Sequence, residues 1–151
     1  MDLLVEKISQ GTVIDRIDAF SSLRVLEILG LAPSGGQAPA HQYRIAAVIN
    51  VPSKKMGKKD ILKIEGKTLS KDEADKIALI SPQATINLVE DSKVSSKTKV
   101  SLPKEIFQIA SCPNPNCISH NNKPISKFQN EGGKLRCHFC EMVFEANELI
   151  L

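Results

Sequence analysis

Four cysteines, all within the last 40 residues of a 151-residue chain, set the strongest limit on what this sequence can fold into. They are spaced Cys112-x4-Cys117, then 19 residues, then Cys137-x2-Cys140. Each close pair can present two sulfurs from one tight knuckle. Two knuckles on neighbouring hairpins complete a tetrahedron around a single ion, which zinc accepts at about 2.3 Å per thiolate. Pro113 and Pro115 stiffen the first knuckle. Four protein ligands leave no position for a reactive water, so the expected role of zinc is structural. A redox reading of Cys137-x2-Cys140 requires a helix N-terminus after a strand. His120 and His138 are alternative ligands, but four cysteines already fill the site.

The compartment argument favours metal over disulfides. The opening MDLLVEKISQ has no basic start followed by an apolar stretch, as a secretion signal would. The longest apolar run, Ile45 to Val51, is far too short to span a bilayer. A cytoplasmic location is expected, where thiols stay reduced.

Residues 104–151 form a segment of 48 residues, close to the limit of roughly 40 below which domains usually need a metal or disulfides. Its apolar residues are few, so zinc is expected to contribute directly to folding. It reads as short strands at Glu105–Ala110, Ile125–Gln129, Lys134–Cys137 and Met142–Phe144, with a turn at Asn130-Glu131-Gly132-Gly133. Five basic and five acidic residues balance, and four thiolates with a divalent ion carry the segment to −2. That charge disfavours phosphate backbones and favours a protein partner.

The positive charge lies earlier: residues 1–103 carry 15 Lys and Arg against 12 Asp and Glu. A Lys/Ser/Thr-rich stretch and Pro103 mark a boundary, giving a first domain over 1–100, a linker over 101–103 and the zinc domain over 104–151. In the first domain the pattern predicts a strand over Thr12–Ile17. A helix capped by Ser21 or Ser22 follows, with Leu23, Leu26 and Leu29 as its apolar positions. Strands follow over Tyr43–Val51 and Lys59–Glu65. Ser70 and Glu73 form a capping box for a second helix burying Ala74, Ile77 and Ala78, with Ile80 a further candidate, and ending before Pro82. Ala84–Val89 is a strand, and Lys93–Val100 a further candidate. The order strand, helix, strand, strand, helix, strand is the split βαβ pattern, so the fold class is an α+β ferredoxin-like βαββαβ sandwich followed by a small all-β zinc-binding domain.

Most of the lysines at 54, 55, 58, 59, 63, 67 and 71 read as a solvated face. Lys59 and Lys63, four apart on a strand, share one face roughly 13 Å apart and suit a phosphate-bearing ligand. Asn87 offers donor and acceptor to a base edge. Asp15 suits ribose hydroxyls or the orientation of a lysine, and Arg16 and Lys97 suit phosphates. No glycine-rich phosphate loop occurs, nor a nucleophile–base pair, so the chain is not expected to be an enzyme.

The stretches Val5-Glu6-Lys7-Ile8, Gly11-Thr12-Val13-Ile14-Asp15, Met56-Gly57-Lys58-Lys59-Asp60, Lys63-Ile64-Glu65, Pro82-Gln83-Ala84-Thr85-Ile86-Asn87 and Ser101-Leu102-Pro103 closely resemble the aspartate carbamoyltransferase regulatory chain. So does Cys112-Pro113-Asn114-Pro115-Asn116-Cys117-Ile118-Ser119-His120, followed by Cys137-x2-Cys140. The resemblance implies a non-catalytic allosteric subunit of pyrimidine biosynthesis that binds CTP and ATP, with UTP beside CTP, and pairs with a second regulatory chain as a homodimer. It implies docking of the zinc domain on the catalytic chain, and no nucleic-acid or membrane partner. The implied nucleotide site is Val5, Glu6, Lys7, Ile8, Asp15, Arg16, Lys59, Lys63, Asn87, Val89, Val94 and Lys97. Arg16 stands where the best-known member has histidine, Lys7 replaces a small residue, and Ser92 sits where an aromatic is found. The rival reading is a zinc-ribbon adaptor in transcription or translation.

Overall fold

The computed structural model describes residues 8–33, 43–121 and 125–149. The chain divides into two compact units, residues 1–101 and 102–151.

The first unit is built on a five-stranded antiparallel sheet. Its elements are β1 (Gly11–Asp18), α1 (Ser22–Ile28), β2 (Ile45–Ser53), β3 (Gly57–Glu65), α2 (Lys71–Ile80), β4 (Thr85–Glu90) and β5 (Lys93–Lys99). The sheet order is β2-β3-β1-β4-β5. The split βαβ expectation holds, with β5 added at one edge by a hairpin turn at Asp91 and Ser92, both with φ above zero.

Alternation along β3 explains which face is covered. Asp60, Leu62 and Ile64 are buried, whereas Lys59, Ile61, Lys63 and Glu65 on the opposite face are half-buried. Ile14 and Ile17 of β1 join the buried set, as do Val25 and Leu26 of α1 and Ile77, Ala78 and Leu79 of α2. Ser22 of α1 donates its backbone N–H to Asp60, so α1 lies on the face carrying Leu62 and Ile64. The other face of β3 presents the lysines.

The two helices differ in how their ends are fixed. Ser70 accepts from the Glu73 N–H and Glu73 accepts from the Ser70 N–H, the reciprocal box expected from sequence. Ser21 occupies the N-cap of α1 but makes no side-chain cap bond. The expected apolar stripe of α1 needs correction: Leu23 is exposed, and the helix turns Val25 and Leu26 inward. With only seven residues, α1 takes its orientation from the loop before it rather than from a long stripe. In α2, Ala74 is half-buried, Ile77, Ala78 and Ile80 are buried, and Leu79 joins them.

Asp60 fixes that loop. Its side chain is fully buried, with Oδ2 accepting from Ser22 N–H at 3.0 Å and Oδ1 from Asn50 N–H at 2.8 Å. Burial opposes ionisation, but these donors and the Phe20 N–H outweigh it and hold the carboxyl below its ordinary range. A depressed pKa contributes stability above the unfolded value, near 3.9, that is lost as pH falls through the folded one. Asp60→Asn is therefore expected to flatten the acid limb of the stability–pH curve, read by thermal denaturation between pH 2 and 6. Asp18, whose carboxyl is pushed up by burial, gives the opposite slope in both proteins, so the comparison between them isolates Asp60.

The second unit is a four-stranded antiparallel sheet in the order β6-β7-β8-β9. Its strands are β6 (Glu105–Phe107), β7 (Lys127–Glu131), β8 (Lys134–Cys137) and β9 (Val143–Phe144). β6 stops three residues short of the expected Ala110, because Gln108 adopts a left-handed conformation and its side chain caps the Ser126 N–H. Two single-turn 3-10 helices, Ile118–His120 and Ala146–Glu148, complete the unit. The buried apolar set among the described residues is small: Ile106, Ala110, Phe128, Leu135, Phe144 and Leu149.

Candidate metal centre and sheet-face site

The second unit brings its four cysteines together. Cys112 and Cys117 lie in the irregular segment after β6, while Cys137 ends β8 and Cys140 sits in the turn between β8 and β9. That turn closes through Glu141 N–H to Cys137 O and Cys137 N–H to Met142 O, each at 2.9 Å. All four sulfurs lie within 4.8 Å of one another, and all four cysteines are free. Cys112 and Cys140 approach to 3.7 Å, as do Cys117 and Cys137.

Each knuckle aims backbone N–H groups at its own sulfur: Asn114 at Cys112, Ser119 at Cys117, and Phe139 and Cys140 at Cys137. Burial pushes the Cys112 and Cys137 thiols up, since a buried thiolate lacks a counter-charge. Burial also opposes ionisation of Cys117, but the Ser119 hydroxyl and N–H outweigh it and draw the pKa down to about 7. Ser119 Oγ sits 3.0 Å from Cys117 Sγ. His120 is not a ligand: its Nε2 donates to the Cys112 carbonyl oxygen at 2.8 Å, tying the two ends of the first knuckle. Ser119 and His120 therefore support the cluster, a role that cysteine spacing alone does not reveal. Such a donor set suits one tetrahedral metal ion.

The first unit brings most of the other candidates onto its open sheet face. Lys63 of β3 pairs with Val13 of β1, Val13 with Asn87 of β4, and Asn87 with Lys97 of β5. Directly paired residues share a face, so these four form one row across four strands, with a cation at each end. Part of the Asn87 amide is already engaged, its Nδ2 donating to Val13 O at 3.3 Å.

Asp15 and Lys59 form a second group. Lys59 Nζ lies 2.8 Å from Asp15 Oδ1, which also accepts the Arg16 N–H at 2.7 Å. Arg16 has φ 57° because β1 bulges between Ile14 and Ile17. Val89 is buried and pairs with the exposed Val94 across the β4–β5 hairpin. Ile8 is half-buried, and the following Ser9 accepts the Ser92 N–H at 2.9 Å. Val5, Glu6 and Lys7 lie outside the described residues. Thr85 and Lys99 were not singled out from sequence, yet they extend a neighbouring row from Asp15. The Thr85 hydroxyl is buried with no hydrogen-bond partner among the described residues.

An antiparallel α+β unit with a charged open sheet face, joined to a small β unit around a four-thiol cluster, defines a two-domain metal-binding protein. Residues 3–101 match the family described as aspartate carbamoyltransferase regulatory chain, allosteric domain, and residues 104–150 match the metal binding domain of the same chain. Curated aspartate carbamoyltransferase regulatory chains are similar along nearly their whole length. That of Thermococcus gammatolerans is 50% identical over 99% of this chain and 97% of the relative. That of Sulfolobus acidocaldarius is 47% identical over 99% and 90%. That of Methanocaldococcus jannaschii is 45% identical over 99% and 95%. The chain belongs to the aspartate carbamoyltransferase regulatory chain family. No helix among the described residues is long and apolar enough to cross a membrane.

Proposed function

We infer that the chain is a non-catalytic, cytoplasmic subunit whose first domain binds CTP and ATP, with UTP beside CTP, and pairs with a second regulatory chain. Its zinc domain docks on the aspartate carbamoyltransferase catalytic chain, with residues 101–103 as the linker between domains 1–100 and 104–151. The row Lys63–Val13–Asn87–Lys97 carries the nucleotide reading. It sets an amide and an apolar surface between two cations, the chemistry a base and its phosphates require. Arg16 in place of histidine keeps its charge at all relevant pH, so phosphate affinity should vary little near neutrality.

Zinc is the ion we assign to the cluster, on its donor set and spacing. Four thiolates at about 2.3 Å from zinc define a tetrahedron with edges of about 3.8 Å, close to the 3.7 Å separations of the two sulfur pairs. Ile118, Phe139, Met142 and Val143 stand exposed beside the two knuckles, a surface suited to a protein partner. Transmission to the catalytic chain requires nucleotide to favour one assembly state, typically by about 1–3 kcal/mol.

Two variants test the nucleotide site. Lys63→Ala and Lys97→Ala each remove one cation and should weaken CTP binding about tenfold in calorimetry, the scale of a charge-assisted contact of about 1.5 kcal/mol. Neither should release the catalytic chain. Unaltered affinity in both would reject the site. Co-purification with a transcarbamoylase catalytic chain at equal stoichiometry tests the partner.

A further inference from the structure

β1 and β2 flank β3 and bulge at the same level of it. Between Ile14 and Ile17, β1 spends one more residue than β3 does between Leu62 and Asp60. Between Val48 and Val51, β2 spends one more than β3 does between Ile61 and Lys59. The first bulge holds Asp15 and Arg16, and the second holds Asn50 at φ 59°. Asp60 is the β3 residue between them, paired with Ile17 and facing away from the open face.

A bulge leaves an amide without a strand partner, and burial makes that amide costly. The Asp60 carboxylate resolves this on the helix side of the sheet. It takes the Asn50 N–H from the second bulge and the Ser22 N–H from the start of α1. Phe20, at φ 67°, belongs to the same connection from β1 into α1. One buried carboxylate therefore ties the β2 bulge to the segment leaving the β1 bulge. On the other face, the adjacent Lys59 clasps Asp15, whose carboxylate also takes the Arg16 N–H.

We propose that Asp60 is a positioning residue for the sheet-face ligand site: by tying the β2 bulge to the segment that leaves the β1 bulge, it fixes how Asp15, Arg16 and Lys59 are presented to a nucleotide phosphate or ribose. This rests on the nucleotide reading above. It implies coupling through the sheet, since a ligand held on the open face also favours the clamped form of the amides on the helix side.

The test uses the full-length chain with CTP as probe. In the wild type, saturating CTP should slow hydrogen exchange at the Ser22 and Asn50 amides at least fivefold. Asp60→Asn puts an amide NH2 where an acceptor is needed and should lower CTP affinity at least tenfold while α2 and β4 keep their protection. Lys71→Ala, an exposed change at the start of α2 outside both bulges, should bind within threefold of wild type. Unchanged exchange at Ser22 and Asn50 under CTP overturns the clamp, and so does a folded Asp60→Asn chain that binds within threefold. If Asp60→Asn fails to fold, the wild-type exchange decides alone. A wild-type chain that binds no CTP overturns the nucleotide reading itself, and the clamp with it.

Discussion

Stripping the metal from the full-length chain is expected to unfold the β6–β9 unit while the β1–β5 sheet stays folded. Among the described residues, the second unit buries six apolar side chains apart from its cysteines. A core that small leaves little net stability once backbone ordering is offset. The metal supplies the remainder: structural zinc in small modules contributes about 10–16 kcal/mol of apparent binding free energy at neutral pH, as much as the whole stability of an ordinary domain. Removal also leaves four thiols within 4.8 Å, three of them buried, with no charge to justify their approach. The first unit has its own core around Ile14, Leu62, Ile64 and Ile77. Hydrogen exchange reads the two units separately. With chelator, the Phe128 and Leu135 amides should lose protection, and those of Leu62 and Ile64 should keep it. Protection of Phe128 that survives verified metal loss would show that the sheet holds itself together. Cys112→Ala is expected to act like the chelator and to release the catalytic chain, because the proposed docking surface would lose its shape.

The metal cluster was legible because cysteine pairs at short spacing have few other uses in a reducing compartment. Lys59 and Lys63 were legible as face-mates because β3 keeps its alternation without interruption. The same alternation places Asp60 inward with Leu62 and Ile64, so its burial was open to reading. Its partners were not, because they come from α1 and from a β2 bulge whose existence depends on pairing. Arg16 could not be read as left-handed for the same reason: the bulge is a property of β1 against β3, not of the local sequence. Leu23 misled because a seven-residue helix is oriented by its tether, and spacing three apart names a stripe without saying which stripe faces inward. Ser119 and His120 act through the knuckle backbone and leave no periodic signature.

Gly11→Ala is expected to be the most damaging single substitution in the first unit. Gly11 opens β1 at φ 140°, a conformation that L side chains rarely adopt. It sits between Glu65 of β3 and Val89 of β4 in the two ladders. A Cβ there would lie 2.2 Å from the Ile64 carbonyl oxygen and 2.8 Å from the Gly66 nitrogen. Both are backbone atoms, one in β3 and one just past its end, so no side chain can swing aside to make room. Relief requires β1 to separate from β3 at its first pair. That shift disturbs the Gly66 N–H bond to Gln10 O and the buried Thr12 hydroxyl on Lys67 O. Strained backbone and overpacking each cost about 1–3 kcal/mol, so a combined loss on the order of 3 kcal/mol is expected. For a unit of this size that lowers the thermal midpoint by about 12–24 °C. Gly57→Ala is the control. Gly57 also has positive φ, 77°, but nothing lies within 4 Å of its Cβ position, so it should lose only the backbone preference of about 1 kcal/mol. Equal midpoints for the two variants would mean that the contact with Ile64 relaxes at little cost. A large gap would trace the loss to crowding between β1 and β3, where the strand that carries Asp15 and Arg16 begins.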